Sequence, residues 1–180
     1  MGTINKVDKV KLIMGLLFNP VIDIKKIYEI LEEKFGAIDK KTEPYNFQFT
    51  NYYNKEMGNS IQRQFISFEK LIEMTDLSDI KISTNEIEMQ NSNQQKRNIN
   101  IDPGYIELGK LVLASTKNYT HRIYIGKGIF AEPTLQFYKK TFAKWPFTYP
   151  DYSDDFSVNF FNEARLTYKA QLEKPTNDIK

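Results

Sequence analysis

The segment Lys9–Phe18, KVKLIMGLLF, is almost continuously apolar and stops at Asn19-Pro20. It falls well short of the roughly 20 apolar residues that a membrane-spanning helix needs. It reads instead as a buried strand. An amphipathic helix follows, with Ile24, Ile27, Tyr28, Leu31 and Phe35 on one stripe and Lys25, Lys26, Glu29, Glu32 and Glu33 on the solvated side. Pro20 or Asp23 can start that helix and Gly36 can stop it. Tyr45–Thr50 alternates aromatic and polar residues and predicts a strand. Ile61–Phe68 predicts another, after a turn at Met57–Ser60.

The pattern then becomes helical. Leu77, Ile80, Thr84 and Ile87 form one stripe within Thr75–Asn93, which Thr75 or Ser78 can cap. Asn91–Asn98 is polar and aperiodic, hence a loop. Asn98–Asp102 predicts a short strand that the turn signal Asp102-Pro103-Gly104 would end. Tyr105, Leu108, Leu111, Val112 and Ser115 suit a helix, with strand as the alternative for so short a run. His121–Ile125 and Ile129–Phe137 flank Gly126-Lys127-Gly128, a hairpin loop with two glycines free to take positive φ. A strand can continue through Phe142. Ser153, Asp154 and Asp155 open a last helix that would bury Phe156, Phe160, Phe161, Ala164, Tyr168 and Leu172.

The predicted architecture is a single α+β domain over residues 1–180, with 1–8 and 174–180 frayed. A ferredoxin-like β-α-β-β-α-β core is extended by a helix, a β-hairpin and a C-terminal helix. A chain of 180 residues can bury such a core without staples.

Composition removes whole function classes. With no cysteine there is no disulfide scaffold, thiol nucleophile or cysteine-ligated metal. One histidine rules out HExxH chemistry, and no metal site or cofactor is indicated. A net charge of +2 does not point to nucleic acid. The early apolar run has no small-residue cleavage site after it, so a cytoplasmic, non-membrane protein is expected. Asn5–Asp8 spells NKVD, the guanine-specificity motif of small GTPases, but no GxxxxGK[ST] phosphate loop accompanies it. Arg63–Phe68 has the aromatics of an RNA-recognition strand without its glycines.

Chemistry-bearing residues concentrate in Asn100–Glu132. This stretch holds Asp102, Tyr105, Lys110, Lys117, His121, Arg122, Tyr124 and Glu132. His121 would start a strand and share a face with Ile123 and Ile125, a face expected to be core. It reads either as a loop-fastening histidine or as a proton donor beside Arg122 and Lys117. On the helix, Lys81, Asn85 and Glu88 form a polar row: a solvated face, or the lip of a cleft.

The strings FTNYYNKEMG, RQFISFEKLI, KISTNEIE, NIDPGYIELGKLVLASTK, HRIYIGKGIFAEPTL and FTYPDY occur in this order. Together they resemble the bacterial and archaeal domain-of-unknown-function family numbered 4416, from the first strand to about Tyr152. The resemblance implies a stand-alone domain without an established activity; some members are labelled GTP-binding. It marks as motif residues Tyr52, Tyr53, Glu56, Arg63, Glu69, Lys81, Asn85 and Glu88. It also marks Asp102, Tyr105, Lys110, Lys117, His121, Arg122, Glu132, Tyr149 and Asp151. Pro133 departs from the pattern, so its strand should lie at an edge or carry a bulge.

The expected function is binding of a small anionic ligand, such as a nucleotide or phosphorylated metabolite. Arg63, Lys81, Lys117, His121 and Arg122 would supply charge, Asn85 a polar contact, and Tyr105 and Tyr124 stacking and hydroxyls. Any catalysis would use His121 as acid–base group, oriented by Glu132 or Asp102. The alternatives are a non-catalytic protein-interaction module and single-stranded RNA binding on an open sheet face. The sequence leaves the oligomeric state open.

Overall fold

The computed structural model describes residues 2–93 and 96–173. Residues 2–8 are exposed and carry no regular element; the frayed tail expected at 174–180 lies outside the described residues. Strand β1 (Val10–Phe18) is followed by helix α1 (Ile24–Phe35), β2 (Ile38–Lys41), β3 (Tyr45–Asn46), the single turn α2 (Asn54–Met57) and β4 (Gln62–Ile72). A 3-10 turn leads into α3 (Leu77–Gln90). Next come β5 (Ser92–Asn93), β6 (Lys96–Arg97), β7 (Ile99–Ile106), β8 (Lys110–Ser115), β9 (Ile123–Gly126), β10 (Ile129–Tyr138) and β11 (Thr141–Lys144). Short α4 (Pro150–Ser153) and long α5 (Asp155–Glu173) end the fold.

The main sheet has nine strands. Its spatial order is β11-β10-β8-β7-β1-β4-β2, with β3 also on β4 and β9 also on β10; β5 and β6 pair separately. Every described pairing is antiparallel.

β1 is buried along its whole length because layers cover both its faces. Leu12, Met14 and Leu16 pack with Ile27 and Leu31 of α1 and Leu77, Ile80 and Ile87 of α3. Ile13, one residue out of phase, packs with Phe160, Phe161, Ala164 and Tyr168 of α5. This is the period-two alternation of a strand between two helical layers. Lys11 also falls on the α5 face, fully buried, and its amine donates to Asp39, the Phe68 carbonyl and Gln171. α1 begins at Asp23, whose side chain accepts from the Lys25 N–H, and ends at Gly36, whose φ of 95° suits glycine. No helix among the described residues is long and apolar enough to cross a membrane.

Several expectations are corrected: the strand expected over Tyr45–Thr50 is only Tyr45–Asn46, and the strand expected to continue through Phe142 breaks at Lys139-Lys140 into β10 and β11. The turn at Asp102–Gly104 and the helix over Tyr105–Ser115 are instead the hairpin β7–β8, turning through Glu107–Gly109. The short apolar run fits either period, and pairing with β1 on one side and β10 on the other decides for strand. The Asn91–Asn98 loop carries the small β5–β6 ladder. The strand expected from His121 starts at Ile123, and its isoleucine face is not core: Ile123 is 69% exposed, since β9 lies at the sheet margin with no layer over it. Phe156 is about half exposed rather than buried. Beyond these, Gly126-Lys127-Gly128 forms the hairpin turn with all three residues at positive φ, and the register of β10 shifts between Pro133 and Leu135, a bulge at the expected proline.

Candidate functional site

The β7–β8 ladder runs only from Ile106↔Leu111 to Gly104↔Leu113. It stops at Pro103, which has no N–H to donate. Beyond that point β7 stays on β1, with Asp102 opposite Gly15, while β8 stays on β10, with Ser115 opposite Phe130. A cleft of about 450 Å³ opens there, lined by Asn100 and Asp102 of β7 and by Leu113, Ala114 and Ser115 of β8. That volume suits a small-molecule site. Arg63 of β4, Lys81 and Asn85 of α3, and Arg97 of β6 also line it. Tyr149–Tyr152 and an aromatic loop containing Phe47, Phe49, Tyr52 and Tyr53 complete the walls.

Charges alternate along one side of the cleft. Arg63 Nη2 lies 2.9 Å from Asp151 Oδ2, and its Nη1 lies 4.0 Å from Asp102. Lys81 Nζ is 3.9 Å from Asp102 and 3.8 Å from Glu88. Glu88 accepts from Arg97 at 2.9 Å, and Arg97 grips Glu56 of α2 with two bonds of 2.7 and 2.9 Å. Burial, opposed by Arg63, pushes the Asp151 carboxyl above its usual range, and burial does the same to Glu88 against Lys81. Paired buried charges of this kind are costly to assemble and costlier to break.

Arg63 is the deepest of these groups. Its guanidinium packs against the rings of both Phe65 and Tyr152, at 4.4 and 4.7 Å from their centroids. Gly15 makes room for it, since a Cβ there would come within 2.9 Å of Nη2. Although Nη2 is close to Asp151, its N–H does not point at the carboxylate, and Nε and Nη1 have no hydrogen-bond partner either. Burial disfavours the charge, but the acidic neighbours Tyr152, Asp151 and Asp102 more than offset this, so the guanidinium pKa is raised.

The opposite wall is built on Glu132. One of its oxygens, Oε2, contacts His121 Nε2 at 2.6 Å and accepts from Arg122 Nε at 2.8 Å. Arg122 also donates to the Lys117 carbonyl and, at 3.0 Å, to the Tyr149 hydroxyl. Lys117 Nζ donates to the Tyr52 hydroxyl at 3.0 Å. That bond lowers the Tyr52 pKa.

Of the residues singled out from sequence, Arg63, Lys81, Asn85, Asp102, Lys117, Arg122 and Glu132 line this cleft. His121 does not; it stands behind Glu132, its ring stacked on Phe147 at 4.0 Å. Asp102 does not orient it. Tyr105 is buried in the core under α1 and α3, and Tyr124 is exposed on β9. Arg97, Asn100 and Tyr152 went unnoticed in the sequence. Arg97 sits in a polar segment without periodicity, and only the β5–β6 ladder aims it at the cleft. Tyr149 and Asp151, which the family strings mark, line it too. Among the described residues no group of three or more His, Cys, Asp or Glu could hold a metal ion.

The His121 geometry carries a stability prediction. His121→Ala removes a bond to a buried carboxylate and a ring stack. Urea unfolding should show a loss of about 1–3 kcal/mol. An unchanged midpoint would mean that the histidine fastens nothing.

The model of a domain of unknown function, DUF4416, matches residues 8–168. No curated protein and no solved structure matches the chain.

Proposed function

The chain belongs to the DUF4416 family, a domain of unknown function, and from its cleft we propose that it binds a small anionic ligand, a nucleotide or a phosphorylated metabolite. One observation carries this reading: five cationic side chains, Arg63, Lys81, Arg97, Lys117 and Arg122, line the cleft against three carboxylates, Asp102, Glu132 and Asp151. Among the described residues Lys117 has no carboxylate within ion-pair distance; its partner is the Tyr52 phenol. An anion there would meet a cation that no described carboxylate offsets, and an ionised acceptor would hold it more strongly than a phenol oxygen does. The aromatic loop beside it offers Tyr52 and Phe49, both exposed, as surfaces for a planar group.

The reading is one of binding; His121, the acid–base candidate, lies outside the lining. The order β7-β1-β4-β2 and its antiparallel pairing support reading those strands, with α1 and α3, as a ferredoxin-like core. Phe65 and Phe68 are fully buried, so neither offers a face to an RNA base. The interaction-module alternative rests on β9, where Ile123 and Ile125 are exposed on one face and Tyr124 on the other.

A thermal-shift panel of ATP, AMP, ribose 5-phosphate and inorganic phosphate tests the proposal. A ligand at about 100 times its Kd stabilises by roughly 2.7 kcal/mol. At least one phosphorylated compound should raise the midpoint, and Lys117→Ala should reduce that rise. No shift with any of them, or shifts that Lys117→Ala leaves untouched, would remove the reading.

A further inference from the structure

The two sides of the cleft ask for different chemistry. On one wall, Lys117 ends on the Tyr52 hydroxyl, and Arg122, held to Glu132 through Nε, points Nη2 at the Tyr149 hydroxyl, at 3.0 Å in both cases. Tyr52 and Tyr149 thus fill acceptor positions that an anionic oxygen would fill more strongly. On the other side, Asp102 is short of donors. Asn100 Nδ2 donates to it at 2.8 Å. Lys81 and Arg63 stand at 3.9 and 4.0 Å, beyond hydrogen-bond distance. A carboxylate offers about four acceptor positions, so most of those on Asp102 are open. The carboxylate is 28% exposed and lines the cleft.

Arg63 adds an independent sign that this end is unfinished. It is fully buried and lines the cleft, and among the described residues its Nε and Nη1 hydrogens have no acceptor. Buried donors without partners are rare. A second anion is a poor candidate here, because Asp102 and Asp151 already balance the charges of Arg63 and Lys81. A hydroxyl is a better one, since it can donate to Asp102 without adding charge.

We propose that the ligand is a hydroxylated phosphate ester of the sugar-phosphate class, its phosphate on Lys117 and Arg122 and its hydroxyl groups on Asp102. The assignment rests on the anion-binding reading above and deepens it. Asp102 is then a specificity-determining residue: a phosphate ester without hydroxyls leaves its open acceptors unmatched.

Calorimetric titration with ribose 5-phosphate, methyl phosphate and inorganic phosphate separates the two ends. The wild-type protein should bind ribose 5-phosphate at least tenfold more tightly than methyl phosphate, which has the same anionic head and no hydroxyl. Lys117→Ala should weaken all three ligands by a similar factor. Asp102→Asn should remove the advantage of ribose 5-phosphate over methyl phosphate. Equal affinity for ribose 5-phosphate and methyl phosphate in the wild-type protein would overturn the hydroxyl assignment even if Asp102→Asn failed to fold. So would an advantage that survives in Asp102→Asn. In both cases Lys117-dependent phosphate binding would leave the anion reading standing. No binding of any of the three would overturn both.

Discussion

Arg63→Met should destabilise the fold by roughly 3–5 kcal/mol, the usual cost of removing one partner from a buried ion pair. For a chain of this length that is a fall in melting midpoint of roughly 6–20 °C. The reason is what stays behind. Asp151 is buried, and Arg63 is the charge that most opposes the rise of its pKa. Without Arg63 the Asp151 pKa must climb further above its usual value. A carboxyl whose folded pKa is raised destabilises the fold when ionised in both states, and that penalty disappears as pH falls through the folded value toward the unfolded one. The deficit of Arg63→Met should therefore be largest at neutral pH and shrink on acidification. Adding Asp151→Asn should restore part of the stability at neutral pH, because the stranded charge goes with it. Chemical denaturation of the three proteins at two pH values checks this. An Arg63→Met deficit below 1 kcal/mol, or one that grows as pH falls, would contradict the assigned pairing.

Gly104→Ala is the second large effect. A Cβ at this position would lie 2.3 Å from the Val112 carbonyl oxygen and 2.6 Å from Leu113 Cδ2. The first is backbone, held in the central sheet, and cannot swing aside. Overpacking of this kind costs about 1–3 kcal/mol and sometimes more, and the rigidity of the neighbour places the expectation near about 3 kcal/mol. The strands must part where the ladder already ends, so ligand binding in the cleft should weaken along with stability. Gly109→Ala is the control, since its nearest atom, Glu107 Oε1, is 4.0 Å away. Equal melting midpoints for the two variants would mean that β7 and β8 do not approach as closely as described.

Much of the fold can be read along the chain wherever one periodicity dominates. The Lys9–Phe18 run and the Ile24–Phe35 stripe lead to β1 and α1 nearly residue for residue. Asp23 and Gly36 act as the caps their side chains suggest. Gly126–Gly128 and Pro133 announce a hairpin and a bulge because only particular backbones suit glycine and proline. Tyr105–Ser115 misleads because a run that short satisfies both periods. Its partners, β1 and β10, lie far away in sequence.

The site divides in the same way. Arg63, Lys81, Lys117, Arg122 and Glu132 stand out as charges in motif strings, and the structure gathers them around one cleft. Their pairing could not be read. Asp151 and Arg63 are brought together only by α4 packing across β4, and His121 is turned away from the cleft by the stack on Phe147. By itself, the sequence determined the local elements, the absence of thiol chemistry and the residues able to carry charge, because side-chain chemistry and backbone preference are local properties. Tertiary structure alone decided where β7 and β8 part, which cation has no described carboxylate beside it, and which carboxylate keeps a single described hydrogen-bond donor. Those facts depend on pairings between residues distant in the chain, for which local propensity carries no information.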